Sequence, residues 1–167
     1  MAHRSSGLLA KTATAEAPSS GVVVPVYFDS ALVAKFYLNE PGRDAVRRLA
    51  AQSGVVVTSG IAVAEVAAAF HRKFREGTVE RAAHKALQGQ FDHDIDQGLW
   101  TLIAPTEALL ERVRALFVML DRSVFLRSLD ALHVVTAQAE RFDRLYSNDR
   151  HLLAACARVG MEGIDPT

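Results

Sequence analysis

Val22-Val23-Val24-Pro25-Val26-Tyr27-Phe28-Asp29-Ser30 is the stretch whose reading decides the fold. A β-branched and aromatic run of this kind reads as a buried strand. It ends on a carboxylate, and a helical pattern of Ala31, Leu32, Ala34, Lys35, Phe36 and Leu38 begins at once. In an open α/β sheet, ligands gather at the carboxyl ends of the strands, so Asp29 stands where a site is expected. Asp and Ser are also common helix caps, and Asp29 or Ser30 taken alone is equally well read as a cap. The other acids of the chain decide between the two.

The same alternation continues downstream. Asn39, Glu40, Pro41 and Gly42 stop the first helix, and a second follows over Arg43 to Gln52 with Val46, Leu49 and Ala50 inward. Gly54 breaks it before a second buried strand, Val55 to Thr58. Ser59 and Gly60 open a long helix from Ile61 to about Arg75. Its apolar positions Ile61, Val63, Ala64, Ala67, Ala68 and Phe70 almost encircle the first turns, which predicts a largely interior helix with Glu65 in its midst. An interior carboxylate needs a cation, a hydrogen-bond network or water, because without one it costs several kcal/mol. The alternative is a Glu65 that faces solvent or pairs with an arginine.

Residues 71 to 85 carry five Lys or Arg against two Glu, with Gly77 and Thr78 dividing two helices and Thr78 a candidate cap. Such a hairpin is either a phosphate-binding arm or a solvated face. Phe91 to Gly98 resembles a calcium loop, but its glycine falls at the seventh position and Ile103 at the twelfth, so it reads as a helix end and turn. Leu99 to Ile103 is a third strand, and Pro105 and Thr106 start a helix through Leu109, Val113, Leu116, Phe117 and Leu120. Ser128 is placed to cap the next helix, which buries Leu129, Leu132 and Val135 and sets Asp130 and His133 on one face. Phe142 to Tyr146 is a fourth strand, followed by Ser147-Asn148-Asp149, a helix from His151 to Arg158, and a short edge strand over Met161 to Ile164. Strand and helix alternate throughout. That order predicts a three-layer α/β/α sandwich on a mostly parallel central sheet.

A chain of 167 residues, half of them apolar, suits one domain with a real core. The 19 Lys plus Arg balance the 19 Asp plus Glu, so a polyanion site must come from local charge. One cysteine, Cys156 in an apolar helix, reads as a core thiol and fits a reducing cytosol. No apolar stretch is long enough to span a bilayer. Residues 1 to 21 are rich in Ala, Ser and Thr and are read as a disordered N-terminal extension rather than a transit peptide, leaving 22 to 167 as the domain.

Asp29, Glu65, Asp130 and Asp149 share one property: each lies at a strand end or on the first two turns of the following helix. Right-handed crossovers between parallel strands bring those turns to one edge of the sheet. Four carboxylates there suit a hard, oxygen-seeking cation such as Mg²⁺ or Mn²⁺, and no matching His or Cys set suits zinc. A dication so held activates water and stabilises a phosphodiester transition state. No GxGxxG, GxxxxGK[ST] or GxSxG motif is present. A phosphatase with a nucleophilic Asp29 lacks its second Asp, since that position is Ala31.

Tyr27-Phe28-Asp29-Ser30-Ala31-Leu32-Val33, the Glu65 helix, Leu126-Arg127-Ser128-Leu129-Asp130-Ala131-Leu132-His133 and Ser147-Asn148-Asp149-Arg150-His151-Leu152 together resemble a PIN domain. The ordered set is similar to the VapC-type ribonuclease toxins of bacterial toxin–antitoxin pairs. The resemblance implies a Mg²⁺- or Mn²⁺-dependent endoribonuclease. Asp29, Glu65 and Asp130 would match the family's acidic metal-binding triad, Asp149 its fourth acid, and Ser30 and Ser147 the hydroxyl residues beside the metal. It also implies a homodimer, an RNA substrate and a cognate antitoxin whose tail enters the acidic groove, with the basic hairpin as an arm for either. A PIN-like module that binds protein or RNA with little or no cutting is the alternative.

Overall fold

In the computed structural model, which describes residues 24–167, the opening run supplies a first strand, β1, of only Val26–Tyr27. Val22, Val23 and the extension expected over residues 1–21 lie outside the described residues. Val24 is exposed, and Pro25 has no N–H to give to a ladder, so pairing begins at Val26. β1 pairs in parallel with β2, Val56–Ser59, which pairs in parallel with β3, Trp100–Ile103. On the other side, Phe28 forms a parallel bridge to Tyr146 at the end of β4, Arg144–Tyr146, and β4 pairs in parallel with β5, Glu162–Ile164. The strands therefore run β3-β2-β1-β4-β5, all parallel.

Seven helices cover the two faces among the described residues: α1, Ser30–Tyr37; α2, Arg43–Ser53; α3, Ala62–Arg75; α4, Arg81–Asp96; α5, Glu107–Met119; α6, Ser128–Ala139; and α7, Arg150–Arg158. Side chains alternate across the sheet as the strand period of two requires. Val26, Phe28, Val56 and Trp100 join a core with Leu32, Val33, Val66, Phe70 and Phe91 from α1, α3 and α4. Tyr27, Val57 and Leu145 point the other way, onto Val134 and Ala137 of α6 and Leu152 and Cys156 of α7. The three-layer sandwich expected from the alternating pattern is thus the one observed, and burial raises the Cys156 thiol to about 11, as suits a core residue. No helix among the described residues is long and apolar enough to cross a membrane.

Three local expectations need correction. The α3 helix is not interior: Ala62, Val66 and Phe70 form one buried stripe at four-residue spacing, while Val63 is 40 % exposed. Alanine on every side of its first turns hid that stripe, because a methyl group is tolerated in either environment. Ser128 is not a cap but the first residue of α6, with Arg127 in the cap position and Leu129 exposed. Thr78 does not start α4 either. Its hydroxyl donates to the Lys73 carbonyl at 3.0 Å and so finishes α3, while Glu80 precedes α4.

Gly163 sets how closely α7 lies on β5. A Cβ there would stand 2.9 Å from Leu153 Cδ2 and 3.0 Å from the Leu153 Cα and carbonyl oxygen. Two of those three neighbours are backbone and cannot turn aside. Gly163→Ala is expected to destabilise the fold by about 1–3 kcal/mol, as overpacking does. The readout is a lowered urea midpoint with an unchanged slope; an unchanged midpoint would mean that α7 moves freely over β5.

Candidate active site

The strand order places β1 and β4 side by side although the chain visits β2 and β3 between them. Their crossovers leave in opposite directions, which opens a crevice at their carboxyl ends. Asp29 follows β1 and Asp149 follows β4, so both stand at its mouth. A cleft of about 290 Å³ opens there, lined by all four expected acids, Asp29, Glu65, Asp130 and Asp149, and by Ser30, Arg127, His133 and Asn148.

Asp29 caps α1 and also lines the cleft. One oxygen accepts from the Leu32 N–H at 2.9 Å, closing the first turn of α1, and the other accepts from the Ser147 hydroxyl at 2.5 Å. Ser147 in turn accepts from the Asp149 N–H at 2.9 Å, so a single fully buried hydroxyl ties the two strand-end turns together. Asp149 repeats the design, with Oδ1 accepting from the His151 and Leu152 N–H groups of α7. Burial pushes the Asp29 carboxyl above its usual range, against the pull of His133 and of the hydrogen bonds from Ser147 and Leu32, while nearby Asp130 pushes it further up.

Glu65, in the first turn of α3, finds the hydrogen-bond network its position calls for. Its Oε2 accepts from the Ser30 hydroxyl at 2.5 Å and lies 3.1 Å from His133 Nε2. The other ring nitrogen, Nδ1, lies 3.1 Å from the Tyr27 hydroxyl. Burial holds the Tyr27 phenol well above its usual value, so it keeps its proton beside the ring. Burial alone would raise Glu65, but the hydrogen bonds from His133 and Ser30, with the charges of His133 and Arg127, outweigh it and hold the carboxyl below its usual range.

Asp130 and Asp149 are served by Arg127. Its Nε donates to Asp130 Oδ2 at 2.8 Å, and its Nη2 donates to Asp149 Oδ2 at 2.7 Å. With those contacts in place, no three His, Cys, Asp or Glu side chains among the described residues converge closely enough to hold an ion as they stand. The donor set itself fits a hard cation, being four carboxylates and two hydroxyls with no thiolate.

Arg127 and Tyr27 were not among the expected site residues, and His133 was expected only to share a face with Asp130. The Arg127–Asp130 pair has the same three-residue spacing as Asp130 and His133 and was legible in principle. The Arg127–Asp149 pair, 22 residues apart, was not. The basic hairpin contributes less than its charge suggests: Lys73 Nζ pairs with Glu40 at 2.7 Å, and the Arg81 guanidinium stacks 4.9 Å from the centre of the Phe74 ring. Arg72 is its member that lines the cleft, together with Lys35 of α1.

No curated protein matches the chain by sequence. Among solved structures, it is similar to the crystal structure of Mycobacterium tuberculosis VapC20, a sarcin–ricin loop cleaving toxin, with a TM-score of 0.60 at 19 % identity over 78 % of this chain and 94 % of that one. At that identity the likeness speaks for the fold. The PIN domain family model matches residues 26–158, from the first residue of β1 to the last of α7, and takes in all four acids of the cleft. The chain belongs to the PIN domain family.

Proposed function

We propose that the protein is a Mg²⁺- or Mn²⁺-dependent endoribonuclease and the toxin of a type II toxin–antitoxin pair. The observation that carries the reading is the convergence of Asp29, Glu65, Asp130 and Asp149 on one cleft at the switch point of a parallel sheet. In this reading those four side chains hold the cation, and Ser30 and Ser147 orient Glu65 and Asp29 through the hydrogen bonds described above. A dication so held supplies an activated water and neutralises charge on the phosphodiester. His133 fixes Glu65 from behind, and Lys35 and Arg72 attract the RNA backbone to a chain of zero net charge. The structural likeness to a toxin that cleaves the sarcin–ricin loop supports this class of activity. A cognate antitoxin, a homodimer and a cytoplasmic location follow with it.

One observation favours a second reading. Arg127 already pairs with Asp130 and Asp149, which leaves less free charge for an ion and suits a PIN-like module that binds protein or RNA and cuts weakly or not at all. Cleavage of a mixed RNA pool in Mg²⁺, Mn²⁺ or EDTA separates the two. The nuclease reading expects metal-dependent cutting that Asp29→Asn abolishes and Ser147→Ala slows about 10- to 100-fold, as loss of a carboxylate's orienting partner does. Folded, antitoxin-free protein that cuts in neither metal would establish the binding module instead.

The acids also leave a mark on stability. Because burial raises Asp29, the folded state holds its proton at pH values where the unfolded chain has released it. Its contribution is therefore full below the ordinary Asp range, near pH 4, and declines as pH rises through the higher folded value. Glu65 runs the other way: its contribution is present above the ordinary Glu range and is lost as pH falls through the lowered value. Asparagine at position 29 keeps the cap without the charge. Asp29→Asn should thus raise the urea midpoint at pH 7, with the gain shrinking toward pH 4. A gain that does not change with pH would show that Asp29 carries no such burden.

A further inference from the structure

Arg127 occupies the cap position of α6, yet its side chain caps nothing. Its guanidinium reaches instead across two elements, with Nε 2.8 Å from Asp130 Oδ2, and Nη2 3.4 Å from Asp130 Oδ1 and 2.7 Å from Asp149 Oδ2. The partners are unequally held. The Asp130 side chain is 13 % exposed within a buried helix, and Asp149 is pinned by the two N–H groups of α7. Arg127 is 61 % exposed and sits on a long flexible stem. When this network changes, the cation is the part free to move.

Its contacts fall on both Asp130 oxygens and on the Asp149 oxygen that the α7 N–H groups leave free, on two of the carboxylates that would hold a divalent ion. A guanidinium and a dication on the same two carboxylates repel one another, so entry of the second weakens the hold of the first. A guanidinium released from a carboxylate fork finds an equivalent fork in a phosphodiester, which presents two oxygens in matching geometry. Lys35 and Arg72 line the same cleft and mark where such a phosphate is attracted.

We propose that Arg127 is a displaceable counter-cation: it holds Asp130 and Asp149 together until a divalent ion enters, then swings out of the cluster and takes a phosphate of the RNA backbone. The proposal rests on the metal-dependent nuclease reading. It makes ion and arginine competitors and makes ion and RNA cooperate, because RNA draws away the group that opposes the ion.

The test is calorimetric titration of Mn²⁺ into the folded wild type, Arg127→Gln and Arg127→Lys, with and without a non-cleavable 2′-O-methyl phosphorothioate oligonucleotide. Without oligonucleotide, Arg127→Gln is expected to bind Mn²⁺ at least about 5-fold more tightly than wild type, the fold-change equivalent to one favourable surface ion pair. Arg127→Lys, which keeps the charge but not the fork, is expected to gain less, and it carries the test if the glutamine variant does not fold. The oligonucleotide is expected to tighten Mn²⁺ binding to wild type and not to Arg127→Gln. Equal or weaker Mn²⁺ binding by the variants, with wild type binding well, would overturn the exchange and leave the nuclease reading standing. Equal tightening by oligonucleotide in wild type and glutamine variant would overturn the transfer to phosphate. Failure of all three proteins to bind Mn²⁺ would remove the metal reading and the exchange with it.

Discussion

A short stretch of backbone joins the two halves of the sheet. β1 gives β2 only two paired residues, then turns its pairing to the other neighbour through the Phe28–Tyr146 bridge and the Asp29 N–H to Tyr146 carbonyl hydrogen bond at 3.1 Å. The chain crosses one way to build β2 and β3 and the other way to build β4 and β5. The crevice between β1 and β4 follows from that divergence. Asp29 lies at the seam, and the Ser147–Asp29 hydrogen bond fastens the loops on either side. The register of the sheet and the geometry of the cleft are therefore one constraint.

Four acids on one edge must be kept from forcing it apart, and the protein does this differently at each end of the cleft. Asp29 and Glu65 are held by hydroxyls, a backbone N–H group and the His133 imidazole. Asp130 and Asp149 are held by the exposed guanidinium of Arg127. The first device sets positions and the second balances charge. Buried polar networks of the first kind are rigid when every member is satisfied. A partly exposed ion pair of the second kind is weak enough to exchange.

Much of this was legible in the sequence because strand and helix leave different periods. The run ending at Asp29 and the apolar strand at Val55 to Thr58 mark the sheet, and the acids at the strand ends mark the edge where the cleft opens. The errors have specific causes. Pro25 shortened β1, which a β-branched run alone does not reveal. Alanines in α3 give no facial signal, so the sequence does not single out the stripe of Ala62, Val66 and Phe70. Ser128 has the composition of a cap but stands one residue late, because the extended backbone of Arg127 starts α6. Arg127 itself is placed by tertiary structure: local spacing points it to Asp130, but only the packing of α6 against β4 and α7 brings Asp149 within its reach.

A neutral chain that lines one cleft with four acids and with Lys35, Arg72 and Arg127 presents a polyanion with opposed fields. On the nuclease reading, the cations draw a phosphate backbone inward, while the acids resist its final approach. That resistance falls only when something neutralises the centre, and a guanidinium already spent on Asp130 and Asp149 cannot also serve the phosphate. On the nuclease reading, productive binding then requires that the centre gain positive charge in the same step in which Arg127 is freed. A divalent ion meets both conditions where a further arginine or lysine would not, because it brings two charges to a site that one charge already balances in part. On the same reading, the position of Arg127 favours assembly of ion and substrate together over either one alone.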